Sequence, residues 1–393
     1  MSRRTGRGTP RQRQPKGRPL AGETYPVDVG PVAHGGHFVA RLPEDAGDAA
    51  GAVVFVRHAL PGEQVTVQVT EGFVGDRFLR GDAVAVHRPS PDRVIPPCPF
   101  AGPGLCGGCD LQHVALPAQR ELKATVVAEQ LRRLAGLDLS VVVEPVPGDD
   151  DGLHWRTRMR YHRTEDGSLG LRAHRSDRVV PVSDCRIQAP DARVSVEGED
   201  VSDQVVNEHV RDRGFEVAAD GFWQVHRGAA DVLVDAVLSG AEVRPGDRVL
   251  DLYAGVGLFS VFLAEQAGQT GTLVAVEGDR DAAGHAAGNL AAYPRAEVRA
   301  GDVDRHLRGL AEEGAWDVVV LDPPREGARR KVVEAIVATA PRTVVYVACD
   351  PAAFARDVAW FAEAGYPLDS LRAFDLFPMT HHVECVGVLH RRA

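Results

Sequence analysis

Three groupings of thiols and carboxylates in this 393-residue chain have the residue types for chemistry. Cys349 ends the apolar run TVVYVAC and is followed at once by Asp350 and Pro351, the place where an α/β enzyme presents a nucleophile. Glu384 begins the run ECVGVLH near the C-terminus. A thiol and a carboxylate that converge can methylate carbon 5 of a pyrimidine. Thiolate addition at C6 makes C5 nucleophilic, and a base must then remove the C5 proton so that the thiol can leave. Cys349 is the expected nucleophile and Glu384 the expected base, with Asp322 and Arg325 helping to hold cofactor and ring. Cys385 follows Glu384, but strand alternation points it the other way, and a packing role is expected.

Four other cysteines form a separate group. Cys98, Cys106 and Cys109 lie close together in CPFAGPGLCGGC, and Cys185 follows in SDCRI. Four thiolates suit an iron–sulfur cluster or tetrahedral zinc.

A third constellation is acidic. Asp251-Leu-Tyr-Ala-Gly-Val-Gly257 follows the strand RVL and opens a helix, with Gly255 and Gly257 allowing a tight backbone approach to a ligand. Glu277, Asp302 and Asp322 stand at or just after the ends of the next three apolar runs. A carboxylate at the Glu277 position can take ribose hydroxyls, and Asp302 suits an adenine amino group. Any one of these acids could simply cap a helix. Together they line the carboxyl edge of a sheet and favour a cationic sulfonium ligand, S-adenosylmethionine, over a dinucleotide pyrophosphate.

These residues need elements to hold them, and the length of the chain calls for more than one domain. Residues 1–20 carry seven positive charges and no acid; the chain total is −10, which leaves −17 elsewhere. Such a tail, taken as 1–21, is expected to be disordered and able to bind phosphates loosely. Residues 22–90 read as short strands punctuated by HGG and LPGE, a small barrel of the oligonucleotide-binding type. Residues 91–225 hold the four grouped cysteines, an amphipathic helix ending at Gly136, and a second β-region in which Arg156, Arg158, Arg160, His162 and Arg163 interleave with Trp155, Met159 and Tyr161. That strand suits nucleic acid, or is an ordinary exposed basic strand. From 226 to 393 strands and helices alternate, which predicts a parallel, doubly wound α/β sheet closed by an antiparallel last strand. No apolar stretch reaches 18 residues and the N-terminus has no apolar signal core, so a cytoplasmic protein without membrane contact is expected. Nothing such as a heptad calls for assembly, and a monomer is expected.

With those motifs in place the chain resembles the RNA uracil-5 methyltransferase family from about residue 22 to its end. DLYAGVGLFS looks like the family's cofactor loop, LDPPREG like its Asp-Pro-Pro-Arg signature, VACDPAAFARD like its nucleophile segment and DLFPMTHHVE like the segment ending in the base. FWQVH resembles a further cofactor element. The resemblance implies S-adenosylmethionine contacts at Gln224, Tyr253, Glu277, Asp302 and Asp322, a TRAM-type RNA-binding barrel, and a 4Fe-4S cluster on Cys98, Cys106, Cys109 and Cys185. Three departures stand out: Asp350 and His226 replace usual asparagines, the first cysteine gap is seven residues, and only 38 residues separate Cys185 from Gln224. The expected activity is 5-methyluridine formation in ribosomal or transfer RNA. Methylation of another RNA base and a non-catalytic RNA-binding module are the alternatives.

Overall fold

The computed structural model describes residues 17–148, 151–199 and 204–392. Most of the basic tail therefore lies outside the described residues. They divide into two compact units, residues 17–33 with 37–93, and residues 34–36 with those from 94 onward.

The first unit is a closed barrel of β1 (Thr24–Ala33), β2 (His37–Arg41), β3 (Val53–Arg57), β4 (Gln64–Glu71) and β5 (Leu79–Arg88), in the order β1-β2-β3-β5-β4. Closure comes from antiparallel β1–β4 pairing, Val27 opposite Val65. Alternation then sends Val65, Val67 and Val69 inward with Phe38, Val54, Val56 and Leu79. The buried carboxylate of Glu63 is held by both Nε and Nη2 of Arg93 and by the Leu60 and Ser90 amides. Residues before 22 already join this unit: Arg18 pairs with Asp48 and Glu23, and Leu20 is fully buried.

In the second unit, α1 (Leu116–Gln130) runs through a short π-turn to a left-handed cap at Gly136. After β6 (Val143–Glu144) come β7 (Arg156–Arg163), β8 (Leu169–Arg172), β9 (Val179–Pro181) and β10 (Gln188–Val196), a small sheet in the order β10-β7-β8-β9, and the hairpin β11 (Val205–Val210) with β12 (Arg213–Ala218). The remainder alternates: α2 (Ala229–Ala241), β13 (Arg248–Leu252), α3 (Leu258–Ala267), β14 (Thr272–Glu277), α4 (Arg280–Asn289), β15 (Ala296–Ala300), α5 (Val303–Glu312), β16 (Val318–Leu321), α6 (Arg329–Ala338), β17 (Thr343–Ala348), α7 (Pro351–Glu363), β18 (Leu368–Phe374) and β19 (Glu384–His390). The large sheet has eight strands, β15-β14-β13-β16-β17-β19-β18-β6, and β19 runs antiparallel to β17.

Every residue of β17 is buried, as expected for a central strand covered on both faces. Val345 and Val347 pack in the core with α2 and α3, whereas Val344, Tyr346 and Ala348 pack in the core with α5, α6 and α7. Val127 and Leu131 join the second of these cores, and β6 forms the sheet's outer edge against β18. The segment 91–225 is thus divided. Its first helix and first strand build onto the C-terminal sheet, while β7–β12 form separate small sheets. A two-residue edge strand carries no periodicity, so β6 had no signal in the sequence.

Candidate active site

The open end of the β17–β19 pair sets the central geometry. Val347 pairs with Val386 and Ala348 with Cys385. β17 ends at Ala348, so Cys349 directly follows the last recorded pair, while Glu384 is the first residue of β19. Parity along β19 gives Glu384 the face of Val386 and gives Cys385 the opposite one. Cys385 is accordingly fully buried in the core under α7. Glu384 is 5% exposed, and burial with neighbouring Asp322 pushes its carboxyl well above the usual range, while Arg325 opposes the rise. Burial, then Glu384 and Asp322, push the Cys349 thiol up to about 12, and Arg325 again counters.

Cys349 borders a cavity of about 140 Å³ together with Arg325, Asp350, His381 and His382. Asp350 caps α7 by accepting from the Ala353 amide (2.8 Å), a task asparagine performs equally well, which accounts for the substitution there. Arg325 Nη2 donates to His382 Nε2 at 3.2 Å, so that ring carries its proton on Nδ1. Burial, His381 and Arg325 hold His382 down to about 3, and it stays neutral. His381 Nδ1 donates to Asp110 Oδ2 at 2.5 Å, and the two histidine rings lie 4.1 Å apart. Asp110, His381 and His382 were not singled out from the sequence. His381 and His382 sit inside the DLFPMTHHVE segment, but the partner Asp110 is 271 residues away and no local pattern links them.

The glycine loop follows β13. Tyr253, Gly255 and Gly257 all have positive φ (61°, 55° and 86°), and Gly257 caps α3. A Cβ on Gly255 would meet open space, so its glycine serves the backbone conformation and not a tight contact. Glu277 binds the loop itself: Oε2 accepts from the Gly255 amide at 2.8 Å and Oε1 from the Asp279 amide at 2.7 Å. Asp302 caps α5 by accepting from Arg305 N at 3.2 Å. Burial pushes the Tyr253 hydroxyl up to about 12, with Asp302 the next contribution. Gln224 lies half-buried in the connection ahead of α2. His226, in the same connection, accepts from Gly228 N through Nδ1 (3.1 Å) and stacks on Trp155, and burial lowers it to about 4.

Asp251 is the penultimate residue of β13, and Asp322 directly follows the neighbouring parallel strand β16. Asp251 is 1% exposed, accepts from Ser260 Oγ at 2.5 Å through Oδ2, and has no protein partner for Oδ1. Burial pushes both carboxyls up to about 7; Glu277 adds to the rise at Asp251, and Asp251 to that at Asp322. A buried carboxylate pair with an unpaired oxygen favours a cationic ligand.

Cys98, Cys106, Cys109 and Cys185 line a second cavity, of about 320 Å³, with Arg156. Gln112 Nε2 donates to Cys109 Sγ and Gly108 N to Cys106 Sγ, each at 3.4 Å. Burial pushes the Cys109 and Cys185 thiols up. Among the described residues no three His, Cys, Asp or Glu side chains are arranged to hold one metal ion. Among the described residues no helix is long and apolar enough to cross a membrane.

A glycine loop, acids at successive strand ends and an antiparallel last strand define the class I methyltransferase architecture. Residues 19–84 match the TRAM domain family, 227–346 the methyltransferase small domain and 305–393 the tRNA (uracil-5-)-methyltransferase family. An uncharacterized RNA methyltransferase of Streptomyces avermitilis is 44% identical over 95% of this chain and 99% of its own length, and one of Streptomyces coelicolor is 43% identical over 95% and 94%. The chain belongs to the TRAM-containing RNA (uracil-5-)-methyltransferase family and is an RNA methyltransferase. Its fold is that of the Pyrococcus abyssi tRNA (uracil-54, C5)-methyltransferase in complex with S-adenosyl-L-homocysteine, with a TM-score of 0.67 at 22% identity, covering 92% of this chain and all of that one.

Proposed function

We propose that the enzyme methylates carbon 5 of a specific uridine in ribosomal or transfer RNA, with Cys349 as covalent nucleophile and Glu384 as the base that releases the product. The observation that carries this reading is that Cys349 directly follows β17 and Glu384 opens the antiparallel β19, with Glu384, Asp322 and Arg325 all acting on the Cys349 thiol. Bound S-adenosylmethionine supplies an electrophilic methyl group. The Cys349 thiolate adds to C6, the C5–C6 π pair moves toward O4, and C5 then takes the methyl group. Glu384 accepts the C5 proton, the C6–S bond breaks, and the thiolate leaves with its electron pair. Arg325 favours the ionised forms of both groups, which is what each needs in order to act.

Asp322 and Asp251 make the wall acidic toward a sulfonium. Gln224, Tyr253, Gly255, Gly257, Glu277 and Asp302 form the remaining cofactor surface in this reading. Glu277 and Asp302 keep lone pairs free while they cap loop and helix, so the two roles coexist.

The four cysteines border one cavity, and in this reading they hold a 4Fe-4S cluster, as the family resemblance implies, with zinc the alternative for four thiolates. Arg156 places a guanidinium against Cys185 and Cys109, a counter-charge for an anionic thiolate cluster.

Mixing the enzyme with S-adenosylmethionine and 5-fluorouridine-substituted cellular RNA tests the covalent step. A denaturation-resistant adduct is expected, since fluorine cannot leave as a proton does. Absence of adduct from every RNA class would exclude covalent catalysis.

A further inference from the structure

The base-bearing strand is entered through a nine-residue loop, Asp375–Val383, and the way that loop is held gives a buried amide a role in the reaction. Met379, at the loop's centre, has φ +65°, a left-handed conformation that a non-glycine residue keeps only when its surroundings impose it. Three contacts impose it. The Met379 amide donates to Gln119 Oε1 at 2.9 Å. Its carbonyl accepts from the amides of Asp110 and Leu111, both at 3.0 Å. Gln119 itself is fully buried on α1, and its Nε2 donates to the Leu111 and Val114 carbonyls at 3.2 and 2.9 Å.

Both flanks of Met379 are also tied. Lys123, one turn further along α1, donates to Asp375 Oδ1 (2.5 Å) and to the Phe377 carbonyl (3.0 Å). Downstream, Asp110 Oδ2 accepts from the His381 amide at 3.3 Å and from its ring. Asp110 directly follows Cys109. The cysteine-bearing turn and α1 therefore grip the loop at several points, and its last residue is adjacent to Glu384.

We infer that Gln119 and the Asp110–Leu111 turn act together as the positioning device for Glu384, holding the loop so that the carboxylate reaches the C5 proton. The inference rests on Glu384 being the base, as proposed above. Neither group touches the reacting atoms, and the nucleophile is mounted separately, between β17 and α7. Loosening the clamp should therefore slow proton removal and leave thiolate addition intact. A misplacement of ~1 Å is enough for a ~10²-fold loss in such a step.

The experiment uses the full-length enzyme, S-adenosylmethionine with a labelled methyl group, and cellular RNA from a strain lacking this enzyme. Denaturing gels divide the label between free RNA and RNA bound covalently to protein. Parallel reactions with 5-fluorouridine RNA measure addition and methyl transfer without the proton-removal step. Gln119→Leu and Asp110→Ala cut different bonds to the loop, and each is first checked for a cooperative melt, so either one carries the test if the other fails to fold. For the folded variants we expect label to accumulate in the covalent species, with release slowed ~10-fold or more and the 5-fluorouridine adduct forming within ~2-fold of the wild-type rate. Parallel loss of addition and release would reduce the clamp to a general structural support and overturn the inference. So would wild-type release in both variants. Glu384→Gln separates the two levels: if it traps methylated RNA while the clamp variants do not, only the clamp fails; if it does not trap, the reading of Glu384 as base fails first.

Discussion

Cys349 follows Ala348 and Glu384 precedes Cys385 at the end of the Ala348–Cys385 pair, and the Glu384 charge helps to raise the Cys349 thiol. Thirty-five positions apart in sequence, they are brought together only because the last strand enters the sheet antiparallel. The same register turns Cys385 into the core.

That parity separates two neighbouring thiols by experiment. Cys349→Ala is expected to abolish the 5-fluorouridine adduct and to lower methyl transfer by ~10³-fold or more. Cys385→Ser is expected to keep adduct formation and to cost ~1–3 kcal/mol of stability, because it buries a hydroxyl where the core offers packing. Gel assay and thermal melts read both. Adduct formation that survives Cys349→Ala would assign the nucleophile elsewhere.

The raised carboxyls predict how stability depends on pH. Asp251 is held up to about 7, above its unfolded value, so between pH 4 and 7 the folded state binds more protons than the unfolded state. Its contribution is complete below the unfolded value and is lost as pH rises through about 7. The protein without cofactor should therefore lose stability over that window, and Asp251→Asn should flatten the decline. S-adenosylmethionine, whose cation favours the ionised form, should stabilise more strongly as pH rises across the same range. Melting temperatures between pH 5 and 9, with and without cofactor, check both statements. An unchanged slope in Asp251→Asn would show that this carboxyl is ionised in the folded protein throughout.

Arg325 works on two groups at once. Its guanidinium lowers both the Glu384 carboxyl and the Cys349 thiol and is oriented by His382. Arg325→Met should raise both, with a methyl-transfer loss of ~10²-fold and a pH–rate profile displaced to higher pH. Loss of rate without displacement would confine the side chain to binding.

The cysteine cavity leads to a spectroscopic prediction. Anaerobically purified protein should be brown, absorb near ~400 nm and contain iron. Arg156→Met removes a positive charge next to Cys109 and Cys185 and should lower the reduction potential of the cluster, read by redox titration. A colourless protein carrying stoichiometric zinc would replace the cluster assignment.

The sequence revealed those parts of the molecule whose signals are local. The glycine loop, the acids at the strand ends and the apolar strands of the doubly wound sheet follow from short motifs and continuous burial. The barrel followed from its short punctuated strands. What stayed hidden depends on long-range partners. β6 is two residues long and is defined only by pairing with β18. Asp110 looked like one more residue of a cysteine loop, and Gln119 like a polar position on an amphipathic helix; each gains meaning only from Met379 and His381, more than 250 residues away. Asp302 shows the converse. The helix-capping role that any such acid could have is the one it fills, beside whatever contact it makes to a ligand.

The covalent, base-released mechanism is tested most directly by Glu384→Gln incubated with S-adenosylmethionine and substrate RNA, followed by nuclease digestion and mass spectrometry of the peptide that contains Cys349. The account predicts that peptide carrying a methylated uridine nucleotide, with little free 5-methyluridine released. Free 5-methyluridine at the wild-type rate, with an unmodified Cys349 peptide, would contradict it.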